Sequence, residues 1–452
     1  MRARLLHLWD RLRASYWFVP TLMALGAVGL ALFCLAIDAA VPDISLQNSP
    51  FLYVAEADDQ RSLLLSVGTV TLGTAGVVFS LTTVPLTVAA SQFGSRLLRN
   101  FLRDQQTQVV LGTYFGTFVY CMAVLFAIPN KPVGQSLPHI STTVSLFLAL
   151  ASLCLLIFFI HHIAVSLQAP TVIAEVSAEL HQAIHRFTQT LCPTIPLTEA
   201  AQEDAARFAA IVHEHGVPLP ATRSGYVQFV DLSRLVAQAE ASKLVFYLCY
   251  QPGDFVVAGD ILGYAWPPEE VPRPVETAVE MLNGAFIQGA QRIPTQDVES
   301  AVNQLVEVAV RALSPAINDP FTAITCLDRL GVALREIAHN HAPSPYRYDE
   351  LEKVRVIHPV VTLDRLCDAA FHLIRQYGRG NAEVLVRLLD TLATVYRGIR
   401  RDSDRAVVRS HADLVLQEAD STALTNPWDR ARVRQHYQRL FPTPETVGKE
   451  TI

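Results

Sequence analysis

The chain has 452 residues, a net charge of −6, 51 % hydrophobic residues and only 17 % charged ones, with a mean hydropathy of +0.27. Soluble domains carry about 25 % charge, so part of this chain is built for a solvent other than water. That excludes a simple soluble enzyme, a disordered chain and a fibrous repeat. The acidic balance excludes a global nucleic-acid binder, which needs a basic footprint.

Four uncharged stretches occupy residues 1–170: Ser15–Ile37, Ser62–Gln92, Gln105–Ile128 and Ile140–Ile160. Each reaches the length of about 20 apolar residues that a bilayer crossing needs. Arg2, Arg4, Arg11 and Arg13 precede the first, and Arg96, Arg99 and Arg103 follow the second. The first connection is acidic (Asp38, Asp43, Glu56, Asp58 and Asp59 against Arg61), and the third carries only Lys131. Basic flanks stay inside, so both termini and the C-terminal half are expected in the cytoplasm. Tyr16 and Trp17 suit the interfacial belt on that side.

Span two is the most informative stretch. Ser62, Ser66, Thr69, Gly73, Gly76, Ser80, Thr83 and Thr87 recur at alternating steps of four and three, which places them on one face of a helix. Such a stripe either packs closely against another helix or lines a water-filled pore made by several copies. Pro85 frees a backbone carbonyl inside this helix. Arg96, Arg99 and Arg103 would sit at the inner mouth. They either anchor the chain on lipid phosphates or form a ring that favours anions. In span three, Gly112-x-x-x-Gly116 predicts close helix packing within one subunit. The four spans hold no Asp, Glu, Lys or Arg, unlike ion-coupled transporters.

Residues 171–215 read as an amphipathic helix through Val172, Ile173, Val176, Leu180, Ile184 and Phe187, interrupted at Cys192-Pro193 and Ile195-Pro196. A compact β module is expected at 222–266. It has a strand at Gly225–Val230, a helix cap at Asp231, and runs at Leu244–Tyr250, Phe255–Val257 and Ile261–Trp266. Turns containing Gly253-Asp254 and Gly259-Asp260 separate these runs and predict hairpins. The turns resemble those of biotinyl, lipoyl and secretion-adaptor domains, but no lysine stands at the tip, so no covalent cofactor is expected. Pro267, Pro268, Pro272 and Pro274 form a linker, 267–440 is helical, and 441–452 is a tail.

The pairs His181/His185, His213/His215 and His339/His341 lack a third ligand at metal spacing, so no metal is expected. The seven cysteines form no C-x-x-C and read as free thiols. No Walker, G-x-S-x-G or G-x-G-x-x-G motif occurs, so no enzyme chemistry is expected.

Ser314-Pro315 and Asn318-Asp319-Pro320 predict a helix stop and a new, capped helix with proline in its first turn. The same turn, with Arg292, Arg311, Ser314, Asn318, Asp319 and Thr322, could instead offer amides to an anion. The thirteen residues Arg311 to Ala323, together with Gln92-Phe93-Gly94-Ser95-Arg96, resemble a bacterial family of membrane proteins catalogued as domain of unknown function 2254. Its members typically show Ser-Pro where Gly94-Ser95 stands here. The resemblance implies a four-span membrane protein with a cytoplasmic domain, and brings no reaction with it.

The expected fold is an α-helical membrane domain of four transmembrane helices (1–170), a helical connector (171–221), the β module (222–266), a helical domain (267–440) and the tail. The expected role is a homo-oligomeric passive pore in the inner membrane, lined by span two and in contact with membrane lipids. The alternative is a membrane-anchored scaffold for a cytoplasmic partner or lipid headgroups.

Overall fold

Long apolar runs form helices because a helix satisfies every backbone group within itself, which lipid demands. Four such helices open the chain: α1 (Phe18–Ala40), α2 (Ala57–Gln92), α3 (Gln105–Ala127) and α4 (His139–Ser166). All four contain a stretch long and apolar enough to cross a membrane. The computed structural model describes residues 17–40, 53, 56–92, 105–128, 137–166, 168–191, 199–270, 275–340, 343–421 and 423–442. It divides into two units, Met1–Thr171 and Val172–Ile452.

In the first unit α3 is the inner helix. It packs against α1, α2 and α4, and half of its apolar stretch is buried against 22 % for α1 and α4. The two glycines of the expected packing motif face α1. A Cβ on Gly112 would meet Met23 Sδ at 2.5 Å and Pro20 Cα at 3.2 Å, and one on Gly116 would meet the Met23 carbonyl at 3.5 Å. The motif therefore brings α1 and α3 together within one chain, as expected. Two apolar clusters fill the bundle, one around Leu64, Tyr120, Cys121 and Val124, the other around Val78, Leu111, Tyr114 and Phe159.

The second unit begins within α5 (Ala169–Leu191), whose Val172, Ile173, Val176, Leu180, Ile184 and Phe187 are all buried. α6 (Glu199–His215) follows. Then come β1 (Val217–Pro220), β2 (Gly225–Val230), α7 (Leu232–Ala241), β3 (Val245–Leu248), β4 (Phe255–Val256), β5 (Ile261–Trp266), α8 (Glu276–Ala285) and β6 (Phe286–Gly289). The helices α9 (Val298–Ala312) and α10 (Pro320–His339) lead to β7 (Tyr346–Tyr348) and β8 (Val354–Ile357). The chain closes with α11 (Leu363–Gly378), α12 (Ala382–Tyr396), α13 (Asp402–Asp420) and α14 (Pro427–Leu440).

The strands make two sheets, β1-β5-β3-β8-β7 and β4-β2-β6. Two expectations need correction here. Residues 222–266 are not a self-contained module, because β6, β7 and β8 complete the sheets from within the stretch read as purely helical. The strands of 222–266 bury Val227, Phe246, Leu248 and Leu262 only with Leu282, Phe286 and Val356 against them. Nor are the two glycine turns simple hairpins. β3 and β5 pair with each other, Phe246 opposite Ala265, while β4 between them crosses to the other sheet and pairs with β2. Gly253 and Gly259 stand at φ +99° and +97° in these turns, a region where a side chain is strained.

The later helices carry their start signals in the chain. The side chains of Asp231, Asp297, Asp319, Thr362, Asn381 and Asn426 each accept from a backbone N–H two or three residues on. Their inner faces bury Leu305, Leu330, Leu334, Leu366, Leu388 and Val408.

Candidate functional site

α2 is 36 residues long, about 54 Å at 1.5 Å per residue, and runs unbroken through Pro85. That exceeds the roughly 30 Å of a hydrocarbon core. Its packed face consists of Leu64, Gly68, Thr71, Ala75 and Val78, which are buried against the bundle. Ser62, Ser66, Thr69, Gly73, Gly76, Ser80, Thr83 and Thr87 are all exposed. At about 100° per residue this stripe lies roughly 150° around the helix from the packed face. Among the described residues, no atom lies within 4 Å of a Cβ built on Gly73 or Gly76. Among the described residues, the stripe therefore does not pack inside its own chain.

Its hydroxyls behave as hydroxyls do in an apolar solvent. Ser66 Oγ donates to the Ser62 carbonyl and Thr83 Oγ1 to the Ser80 carbonyl, each at 2.7 Å. A hydroxyl that donates back to its own helix keeps its lone pairs for an outside donor or cation. Large apolar side chains, including Leu65, Val70, Leu72, Val77 and Phe79, are exposed beside the stripe. Arg96, Arg99 and Arg103, the expected inner mouth, lie outside the described residues.

A second polar feature was not legible in the chain. α1 runs past the expected end of span one to Ala40, which carries Asp38 into the helix, where it is only 4 % exposed. The helix thus extends three residues beyond the expected span and takes in an ionisable group that the span itself lacks. The Asp38 carboxylate accepts from the Ile140 and Ser141 amides at 2.9 Å each and from Ser141 Oγ at 2.6 Å. It thus caps α4 from a neighbouring helix, satisfying amides that have no partner within their own helix. Beside it, buried Gln60 bonds His139 Nδ1 at 2.8 Å and accepts from Thr142 Oγ1 at 3.2 Å. Tyr120 donates to the Ser141 carbonyl at 3.0 Å. One end of all four helices is tied together in this way.

In the turn at 311–323 the amides at the start of the new helix are met within the chain. The Asp319 carboxylate already accepts from the Phe321 and Thr322 amides at 3.1 and 3.2 Å and from Thr322 Oγ1 at 2.6 Å. Asn318 precedes it at φ +50°. Ser314 closes the preceding helix stop, its carbonyl accepting from the Asn318 amide at 2.9 Å. Arg311 faces Glu307 at 3.4 Å. Arg292 is held by Asp297 at 2.7 Å and Glu299 at 3.5 Å, and Arg365 bridges Glu299 and Asp254 at 2.6 and 3.3 Å. Two guanidiniums thus face three carboxylates. Burial pushes the Asp297 carboxyl up, and Arg292 opposes that shift.

The histidines are dispersed. His181 faces Glu336 at 3.3 Å, His185 meets Gln189 at 2.9 Å, His339 accepts from Arg400 at 2.9 Å, and His213 packs on the rings of Tyr247 and Tyr264. Among the described residues, no three His, Cys, Asp or Glu side chains converge as a metal site requires.

Residues 13–394 match the family described as predicted membrane protein (DUF2254). The chain belongs to this family. Among its relatives are the uncharacterized protein Rv1290c of Mycobacterium tuberculosis and the uncharacterized protein Mb1321c of Mycobacterium bovis. Each is 30 % identical over 467 aligned residues that cover 97 % of this chain and 84 % of the relative. No solved structure matches the chain. Like the family, the chain is a membrane protein, and its four apolar helices precede a unit of two small sheets and further helices.

Proposed function

We propose that this DUF2254 protein is a homo-oligomeric, passive ion-conducting pore of the bacterial inner membrane. Several copies of α2 line the path, and the second unit gates or assembles it from the cytoplasm. The observation that carries the reading is the outward placement of the whole stripe from Ser62 to Thr87 on the face of α2 opposite its packed side. A small, hydroxylated face of this length has no use against lipid tails, where the neighbouring leucines and valines serve better. It suits a face turned toward copies of itself, with hydroxyls hydrating an ion without holding it tightly. The arginines before span one and after span two favour cytoplasmic termini.

The test is current across a planar bilayer holding the purified chain under a salt gradient, beside a Thr83→Leu variant, with the mass of the detergent-solubilised protein measured in parallel. The expected result is an oligomeric mass and a current that Thr83→Leu reduces or whose selectivity it changes. The sign of the reversal potential then reports whether anions or cations pass. A monomeric mass with no current from folded protein would overturn the pore and favour the membrane-anchored scaffold.

A further inference from the structure

The second unit contains a cavity of about 350 Å³, within the size range of small-molecule sites. All of its lining residues belong to this unit. It lies beside α5, where the parallel strands β3 and β8 give way to the segments 249–252 and 358–361. Most of its wall is apolar, with Phe187, Phe229, Leu248 and Val361 among the contributors. Polar side chains around it are largely engaged elsewhere. Gln296 accepts from the Val230 amide at 2.9 Å and donates to the Val230 carbonyl at 3.3 Å, and Tyr250 donates to Asp260 at 3.3 Å. Gln251 and His358 are buried, and their unpartnered acceptors, Oε1 and Nε2, have almost no accessible surface. An occupant of the interior therefore meets chiefly carbon, and is held by removing its own apolar surface from water.

Two ionised groups border the cavity, Asp231 and Arg186. The Asp231 carboxylate caps α7, accepting from the Arg234 amide at 3.0 Å, and the positive end of that helix offsets its charge. Arg186 has no such counterpart. It is exposed on α5, next to the buried Phe187, and among the described residues it makes no ion pair. The cavity thus joins an apolar interior to one uncompensated cation at its edge.

We propose that this cavity binds a single acyl or prenyl chain that ends in an anionic head, the chain between the apolar walls and the head on the Arg186 guanidinium. A carboxylate and a phosphate monoester supply the same chemistry, paired acceptor oxygens for the guanidinium fork. Molecules of both kinds partition into a membrane such as the one this chain occupies. The inference does not depend on the pore.

The experiment is photo-crosslinking of the full chain in lipid nanodiscs with a decanoic acid that bears a diazirine on its chain, the labelled peptides being mapped by mass spectrometry. Saturable labelling is expected in the peptides that hold Phe187, Leu248 and Val361. Unlabelled acids of six, eight and ten carbons, compared at equal free concentration in water, should compete about fourfold more strongly for each methylene buried. Decanol should compete about two- to fivefold more weakly than decanoate, the range of an exposed ion pair, and Arg186→Gln should erase that difference. Ala183→Phe and Val360→Phe fill the cavity from a buried and a half-buried position. Each should abolish the labelling, with an unchanged melting temperature showing the fold intact, and Arg186→Gln on the surface keeps the test independent of both. Decyl phosphate competing better than decanoate identifies a lipid phosphate as the ligand; the reverse identifies a free fatty acid. Labelling confined to α1–α4, labelling that does not saturate, or labelling unchanged in a folded filling variant would overturn the site. Decanol competing as well as decanoate would overturn the anionic head.

Discussion

Asp38→Ala removes the acceptor shared by two amides and a hydroxyl at the start of α4. The site is 4 % exposed, so water does not replace the carboxylate. At about 1.5 kcal/mol for each hydrogen bond to a charged group, the three bonds are worth about 4 kcal/mol. In a unit of this size about 1 kcal/mol moves Tm by roughly 2–4 °C, so the variant should melt about 10 °C lower. Asp38→Asn keeps one acceptor oxygen but turns an NH2 group toward donors, and should fall about midway. The assay is thiol labelling of Cys121, which is fully buried in the core of the same unit, read peptide by peptide as the full chain is warmed in detergent. Labelling midpoints for Asp38→Ala within about 2 °C of the parent would refute the cross-helix cap, since even one lost bond predicts more.

The glycine contact between α1 and α3 predicts that Gly112→Leu costs at least about 1–3 kcal/mol by overpacking against Met23 and Pro20. Gly26→Leu, where nothing lies within 4 Å, should leave the same Cys121 labelling midpoint in place. At the family motif, Asp319→Ala should cost about 1–2 kcal/mol as a lost cap, and Asn318→Gly almost nothing because φ is +50° there; denaturant midpoints followed by circular dichroism separate the two. His358 predicts an acid dependence. Its folded pKa of about 4 lies below the ordinary 6.5, so its contribution to stability is complete above pH 6.5 and falls as pH drops toward 4. The gap amounts to about 3 kcal/mol. Denaturation midpoints at pH 7.5 and 4.5 should differ less in His358→Leu than in the parent, and equal differences would refute the assignment.

What was legible in the chain is what local physics dictates. The four apolar runs, the buried face of α5, the strands β2 to β5, the cap at Asp231 and a cap at Asn318 or Asp319, of which Asp319 serves, follow from hydropathy, periodicity and short-range hydrogen bonding. Wherever the decisive partner is distant, the chain was silent. Asp38 reads as part of an acidic loop because the amides it satisfies lie 102 and 103 residues away. Val354–Ile357 reads as one more apolar helical run because its strand partner is β3, joined to it in parallel across more than a hundred residues. Arg292 reads as an available cation until Asp297 and Glu299 fold back on it. Gln251 and His358 carry no motif at all, because a cavity is made by the convergence of segments and not by any one of them.

The stripe on α2 lies between these cases. Its periodicity was plain in the sequence, yet periodicity alone fits a packed seam and a pore equally well. The burial of Leu64, Ala75 and Val78 on the opposite face shows that, among the described residues, the stripe is not the face packed inside the chain. The proposed pore, and a seam between copies, would each place a second chain against Gly73, Gly76 and Thr83. They differ in whether water enters. A leucine at Thr83 is apolar in either setting, but only in a wet path does it change a current. A dry seam would register the same substitution as a change in oligomer mass alone, so the paired measurement of mass and current separates the two.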